Sequence, residues 1–174
     1  GIRGLNWKKL NYTYEIDGAE ILDPHANKII GREKWADLAR ITEVCQVRAG
    51  FDFTEFDWKG DRFPEIPRED MLIYKLNVRS FTMDGGSVGK KKGTFAGVIG
   101  RIPYLKKLGV TSLEFMPVYE FEELMKEDTV VEGTENWSAN AKEGLNVQNR
   151  GRQEARVNCW GYIPGDYYAP KASY

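Results

Sequence analysis

The side chains with most chemistry to offer lie near the carboxyl end, in Asn158-Cys159-Trp160-Gly161-Tyr162-Ile163-Pro164-Gly165-Asp166-Tyr167-Tyr168-Ala169-Pro170. One tryptophan and three tyrosines alternate there with glycine and proline turn residues. Flat aromatic faces with polar edges suit the C–H faces and hydroxyls of a sugar ring. Composition alone fits plain loop packing equally well. Carboxylates are plentiful, but their spacing singles out no catalytic pair. Glu114 sits in an apolar run, where burial would raise its pKa; a structural ion pair accounts for it as well and is the favoured reading.

Other candidates weaken on inspection. Gly85-Gly86-Ser87-Val88-Gly89-Lys90-Lys91-Lys92-Gly93-Thr94 lies where a phosphate-binding loop would, between a strand and a helix. Three residues separate Gly85 from Gly89 and Lys91 takes the hydroxyl position, so the spacing that makes such a loop work is missing. A solvated basic turn is expected. His25, the only histidine, stands in the turn-like Asp23-Pro24-His25-Ala26-Asn27, and there is no Cys-x-x-Cys, so neither a metal nor a cofactor is expected. Cys45 and Cys159 read as small buried hydrophobes. The sequons Asn11-Tyr12-Thr13 and Asn136-Trp137-Ser138 read as chance.

These residues need elements to hold them. Leu10 to Ile16 alternates apolar and polar side chains, which predicts a half-buried strand, and Asp17-Gly18 before Ala19-Glu20-Ile21-Leu22 predicts a type I′ hairpin. Residues 38–48 fit helix and strand alike. Phe51-Asp52-Phe53-Thr54-Glu55-Phe56-Asp57-Trp58 reads as an extended segment whose rings serve core or interdomain packing. Phe63 to Asp70, with two prolines and four charges, is a connector and the expected domain boundary.

Beyond it, Met71 to Val78 predicts a strand covered on both faces. Thr94 is placed as the N-cap of a helix carrying Phe95, Val98, Ile99, Ile102, Leu105 and Leu108 at helical spacing. Pro103 should kink or split that helix, and Gly109 sits where a C-cap glycine belongs. Val110 to Met116 is a second buried strand, which makes the whole a right-handed parallel βαβ unit. Glu120 to Asn158 shows no period, as a functional or disordered connection would.

Net charge is −1 with both signs dispersed, so no row of phosphates would be neutralised and nucleic acid is not an expected partner. No apolar run approaches the roughly 20 residues that cross a bilayer, so no membrane span is expected. Gly1 in place of Met, and Tyr174 inside a busy aromatic segment, make both ends read as cuts. The compartment stays open, with a slight lean to the cytoplasm.

Three blocks taken in order resemble the α-amylase family, glycoside hydrolase family 13, in its pullulanase, isoamylase and glycogen-debranching branch. Met71 to Thr82 is similar to the first barrel strand. Gly93 to Gly97, then Ile102 to Val118, resembles the first helix and second strand, proline included. Asn158-Cys159-Trp160-Gly161-Tyr162 with Tyr168-Ala169-Pro170 is similar to the family's Asn-Tyr-Trp-Gly-Tyr segment. Tyr12 to Pro24 resembles the end of the preceding β-sandwich module, carbohydrate-binding module family 48. Lys75 and Asn77 stand where Glu and His are frequent, and Cys159 where Tyr is usual; none of these is a catalytic acid.

The resemblance implies a mixed fold: residues 1–66 as the end of a β-sandwich plus linker, and residues 67–174 as the first βαβ unit of an incomplete (β/α)8 TIM barrel. It implies an amino-terminal piece of an enzyme that cleaves α-1,6 branches in glycogen, starch or pullulan. A branching transglycosylase and a non-catalytic glucan-binding protein are the alternatives. The retaining mechanism sets two carboxylates roughly 5 Å apart, and in the family these follow later strands, so no catalytic residue is expected here. Tyr162 carries over as the residue stacking under the sugar, with Trp160 and Asn158 beside it as substrate-binding residues. The partner is then an α-glucan polysaccharide or oligosaccharide, and the chain alone should be inactive and marginally stable.

Overall fold

A computed structural model describes residues 3–42, 47–83, 86–125 and 156–174. The first part holds β1 (Asn11–Tyr12), β2 (Tyr14–Ile16), β3 (Ala19–Ile21), β4 (Lys28–Ile30), α1 (Ala39–Thr42) and β5 (Arg48–Gly50). Strands β1, β5 and β4 form an antiparallel sheet in that order, and β2 pairs with β3. Asp17 and Gly18 take φ of 51° and 79°, the type I′ geometry expected of Asp-Gly. The single half-buried strand expected over 10–16 is corrected: it breaks at Thr13, and Tyr14, Ile16 and Ile21 are exposed. Among the described residues this hairpin pairs with no further strand, and two strands alone make little cover for their own faces.

The ambiguous stretch 38–48 is both things in turn, helix at Ala39–Thr42 and strand from Arg48. Cys45 and its neighbours at 43–46 lie outside the described residues. The turn at Asp23 forms as read, its carboxylate accepting the His25 N–H at 2.9 Å and its carbonyl the Ala26 N–H at 3.1 Å.

The core expectation for the aromatic segment is corrected too. Phe53, Phe56 and Trp58 are 63%, 72% and 68% exposed. The adjoining core of Ala26, Ile29, Ala49 and Ala169 is already flanked by Tyr12, Leu22 and Val47, and of the segment's rings only the half-buried Phe51 reaches it, stacking on Tyr12 at 4.9 Å. The others pair on the outside, Phe56 on Trp58 at 4.8 Å and Trp7 on Phe53 at 5.3 Å between centroids.

After a connector ending in a 3-10 turn at Arg68–Asp70, the chain forms β6 (Ile73–Leu76), α2 (Val78–Met83), α3 (Phe95–Gly100), α4 (Ile102–Lys107) and β7 (Ser112–Phe115). Strands β6 and β7 pair in parallel from Ile73↔Ser112 to Leu76↔Phe115, so the strand–helix–strand expectation holds. Thr94 caps α3 through Gly97 N–H at 3.2 Å. Pro103 splits the helix, with α3 ending before it and α4 carrying it in the first turn, where its missing N–H costs nothing. At the far end Gly109, φ +81°, closes a Schellman motif: its N–H meets Lys106 O at 3.0 Å, and Val110 N–H meets Leu105 O at 3.1 Å.

Burial on both faces is not observed. Leu76 and Val78 are buried with Val98 and Tyr174, while Leu72, Ile73 and Phe115 are exposed. Among the described residues the parallel pair also has no third strand at either edge. The basic loop forms 3-10 turns within Gly86–Lys91 broken by a kink at Gly89, and Lys90 to Lys92 are exposed as a solvated turn should be.

The last elements are β8 (Tyr119–Glu120), β9 (Leu124–Met125), β10 (Arg156–Val157) and β11 (Asp166–Pro170). Strand β8 pairs antiparallel with β11, and β9 with β10. The aperiodic stretch from Glu120 to Asn158 is therefore ordered at both ends, with Phe121 and Leu124 buried. Residues 126–155, including the Asn136 sequon, lie outside the described residues. Among the described residues no helix is long and apolar enough to cross a membrane.

Candidate functional site

The segment from Asn158 to Gly165 is shaped by its own polar groups. The Asn158 carboxamide oxygen accepts the N–H groups of Trp160 and Gly161, each at 3.1 Å, and folds the chain back. Gly161 takes φ +79°, and a Cβ there would lie 2.5 Å from the Phe121 ring. The Tyr119 hydroxyl sits 3.0 Å from Gly161 O and 2.8 Å from Ile163 O, with one proton to donate between them. Below, Asn158 N–H donates to Glu123 O at 2.7 Å. Laterally, Asn77 Nδ2 donates to Cys159 O at 3.0 Å, while its Oδ1 caps α2 by accepting Ser80 N–H at 3.0 Å. The loop is thereby fastened just past the carboxyl end of β6.

With the backbone held, two rings are left outward. Trp160 is 53% and Tyr162 58% exposed, whereas Asn158 is half-buried and spends its acceptor on the loop. The structure thus brings the three sequence-predicted residues into one loop and gives them different work. Cys159 is a free, exposed thiol, which corrects the buried-hydrophobe reading; the tight turn points it away from the interior.

Tyr162 faces Lys75 on β6. Lys75 Nζ lies 2.7 Å from Glu114 Oε1, its register partner across the parallel pair. Hydrogen bonding to Glu114, then to Tyr162, raises the Lys75 pKa. Glu114 is 55% exposed on its side chain, so the buried-acid reading falls and the structural pair stands.

Beneath the loop lies an ionic cluster that sequence reasoning missed. Lys171, Glu120 and Glu123 are fully buried. Lys171 Nζ donates to Glu120 Oε1 at 2.6 Å, Glu123 Oε2 at 2.7 Å and Phe121 O at 2.8 Å, which uses all three of its protons. It also lies 4.7 Å from the Phe121 ring centroid and 5.6 Å from that of Trp35. Glu120 Oε2 accepts Ala172 N–H at 2.7 Å, and Glu123 Oε1 accepts Ala36 N–H at 2.9 Å together with the Arg40 guanidinium. Arg32 reaches Glu122 at 3.3 Å and Glu120 at 3.7 Å.

Burial raises the Glu120 pKa, against the pull of Lys171 and Arg32. Burial acts the same way on Glu123, but Lys171 and the Ala36 N–H outweigh it and its pKa is lowered. Three cations, Lys171, Arg32 and Arg40, thus meet three carboxylates, Glu120, Glu122 and Glu123, the balance that buried charge requires. Glu120 and Glu123, so paired and sealed from solvent, are closed to a substrate, while Glu122 lies at the edge of the cluster with its side chain 40% exposed. Their signal in the sequence was only a run of glutamates around Phe121, without a period to mark it.

Over 99% of its length the chain is 31% identical to the chloroplastic isoamylase 1 of Arabidopsis thaliana, of which it covers 22%. It is 35% identical over 62% of its length to the glycogen debranching enzyme of Yersinia enterocolitica, covering 16% of that protein. Among solved structures, the pullulanase of group B Streptococcus superposes with a TM-score of 0.63 over 97% of this chain and 21% of that one, at 25% identity. No family model matches the chain. The chain therefore spans 22% of the length of the first curated relatives it matches.

Proposed function

The chain is a relative of the isoamylases, glycogen debranching enzymes and pullulanases of the α-amylase family, and from that premise we propose that it supplies the amino-terminal part of a retaining glycosidase cleaving α-1,6 branches in glycogen, starch or pullulan. In this reading residues 1–66 end a β-sandwich module, and residues 67–174 begin a TIM barrel whose first two strands are β6 and β7. The observation that carries it is the position of Trp160 and Tyr162, exposed on a fastened loop beside the carboxyl ends of a parallel pair. Active sites of α/β barrels form at that end.

Tyr162 then offers its ring to the sugar whose bond is broken, Trp160 adds a second apolar face, and Asn158 shapes the loop. The two carboxylates that perform the displacement belong to later strands. No cofactor enters the scheme.

In the full-length protein, Tyr162→Ala should lower kcat/KM for pullulan about tenfold or more, the weight of one lost stacking face. Tyr162→Phe, which keeps the face, should stay near the parent value. The 174-residue chain alone should release no reducing sugar from pullulan. An unaffected Tyr162→Ala variant, or activity in the short chain, would overturn the proposal.

A further inference from the structure

The aromatic loop is held by Tyr119, Phe121, Glu123 and Asn77, and two of these supports, Phe121 and Glu123, lead to Lys171. Asn158 N–H is held by the carbonyl of Glu123, whose carboxylate is bound to Lys171. Gly161 rests on the ring of Phe121, whose carbonyl accepts from Lys171 and whose face receives its charge. Glu120, the third acceptor, pairs with Asp166 across β8 and β11, at the end of the loop. The same carboxylates reach back before the connector, to Arg32, Ala36 and Arg40.

We propose that Lys171 is a positioning residue: with Glu120 and Glu123 it forms a buried pin that holds Asn158–Tyr162 at the carboxyl ends of β6 and β7. The pin rests on the proposed function only for the statement that the loop meets sugar. An ammonium suits the place because its three tetrahedral protons match three acceptors between Trp35 and Phe121, a pattern the planar fork of a guanidinium does not reproduce. Removing it takes from Glu120 and Glu123 the cation they share and leaves Glu120 Oε1 and Glu123 Oε2 buried without their ammonium, so the β8–β9 segment under the loop must loosen to hydrate them even though Arg32 and Arg40 remain.

The exposed thiol of Cys159 provides a reporter inside the loop. In the full-length protein, with every other cysteine changed to serine, a nitroxide on Cys159 should show slow, nanosecond motion. Lys171→Met should abolish the slow component there, while a second label at exposed Lys106, through Lys106→Cys on α4, keeps its own motion. Glu123→Gln preserves shape and the Lys171–Glu120 pair, and should loosen Cys159 in the same sense without unfolding the protein. Retention of the slow component at Cys159 in either variant overturns the pin. Equal loosening at Lys106 in both variants also overturns it, since the cluster would then serve general stability alone. Pullulan turnover separates the two proposals: a tenfold lower kcat/KM accompanying the loosened label supports both, and a loosened loop with unchanged turnover supports the pin while sinking the sugar reading.

Discussion

At Gly161 the backbone passes over Phe121 with no space for a methyl group, in a left-handed conformation that L side chains resist. Gly161→Ala should therefore cost about 2–4 kcal/mol, the sum of backbone strain and overpacking. Urea unfolding of the full-length protein followed by tryptophan fluorescence would measure it. The glycine was visible in the sequence as part of Trp160-Gly161-Tyr162, but the reason for it was not. A ring 40 residues earlier in the chain decides that no side chain fits, and neither spacing nor composition links the two. Glu114 shows the opposite case: its structural pairing was the favoured reading, and register across β6 and β7 puts Lys75 directly opposite.

The elements most legible in the sequence were those whose determinants are local. Thr94, Pro103 and Gly109 each act within a turn of their own position, and each does what its chemistry dictates. Thr94→Ala removes the side-chain acceptor that Gly97 N–H shares with the Thr94 carbonyl, and should destabilise the start of α3 by about 1 kcal/mol. Amide exchange at Gly97 should quicken about fivefold, with α4 unaffected because Pro103 has already separated the two helices. The Asp17-Gly18 hairpin was legible for the same reason. Its burial was not, since which face meets a neighbour depends on strands far away in sequence. The short strands β8 to β11 escaped notice because two-residue pairings carry no period of their own.

Across the molecule, the residues before and after the connector share their cores. Ala169 completes the small core of the first sheet, and Trp35 stacks on Tyr174 at 5.6 Å, near Phe81, Phe95 and Leu113. His25 stacks on Tyr168 at 5.2 Å. Two phenols report on this assembly. Burial pushes Tyr174 up to about 12, with Asn77 pulling the other way; burial and then the Asp23 hydrogen bond push Tyr12 up to about 12. A folded-state pKa raised above the ordinary value near 10 protects fully below that pH. The protection is lost as pH climbs from about 10 to about 12, because the unfolded chain sheds its phenolic protons first. Stability of the full-length protein should fall across that alkaline window, and Tyr174→Phe should flatten the fall; thermal scans against pH would read both.

By itself the sequence determined the hairpin turn, the helix start, break and stop, the parallel strand pair, and the segment that carries Trp160 and Tyr162. All of these depend on residues within a few positions of one another or on a strong apolar period. Tertiary structure alone decided that the 53–58 rings lie outside, that Cys159 is exposed, and that Lys171 sits sealed between two glutamates about 50 residues before it. Burial is a property of neighbours brought together by the chain's path, and a charge becomes a structural pin only where that path encloses it with its partners.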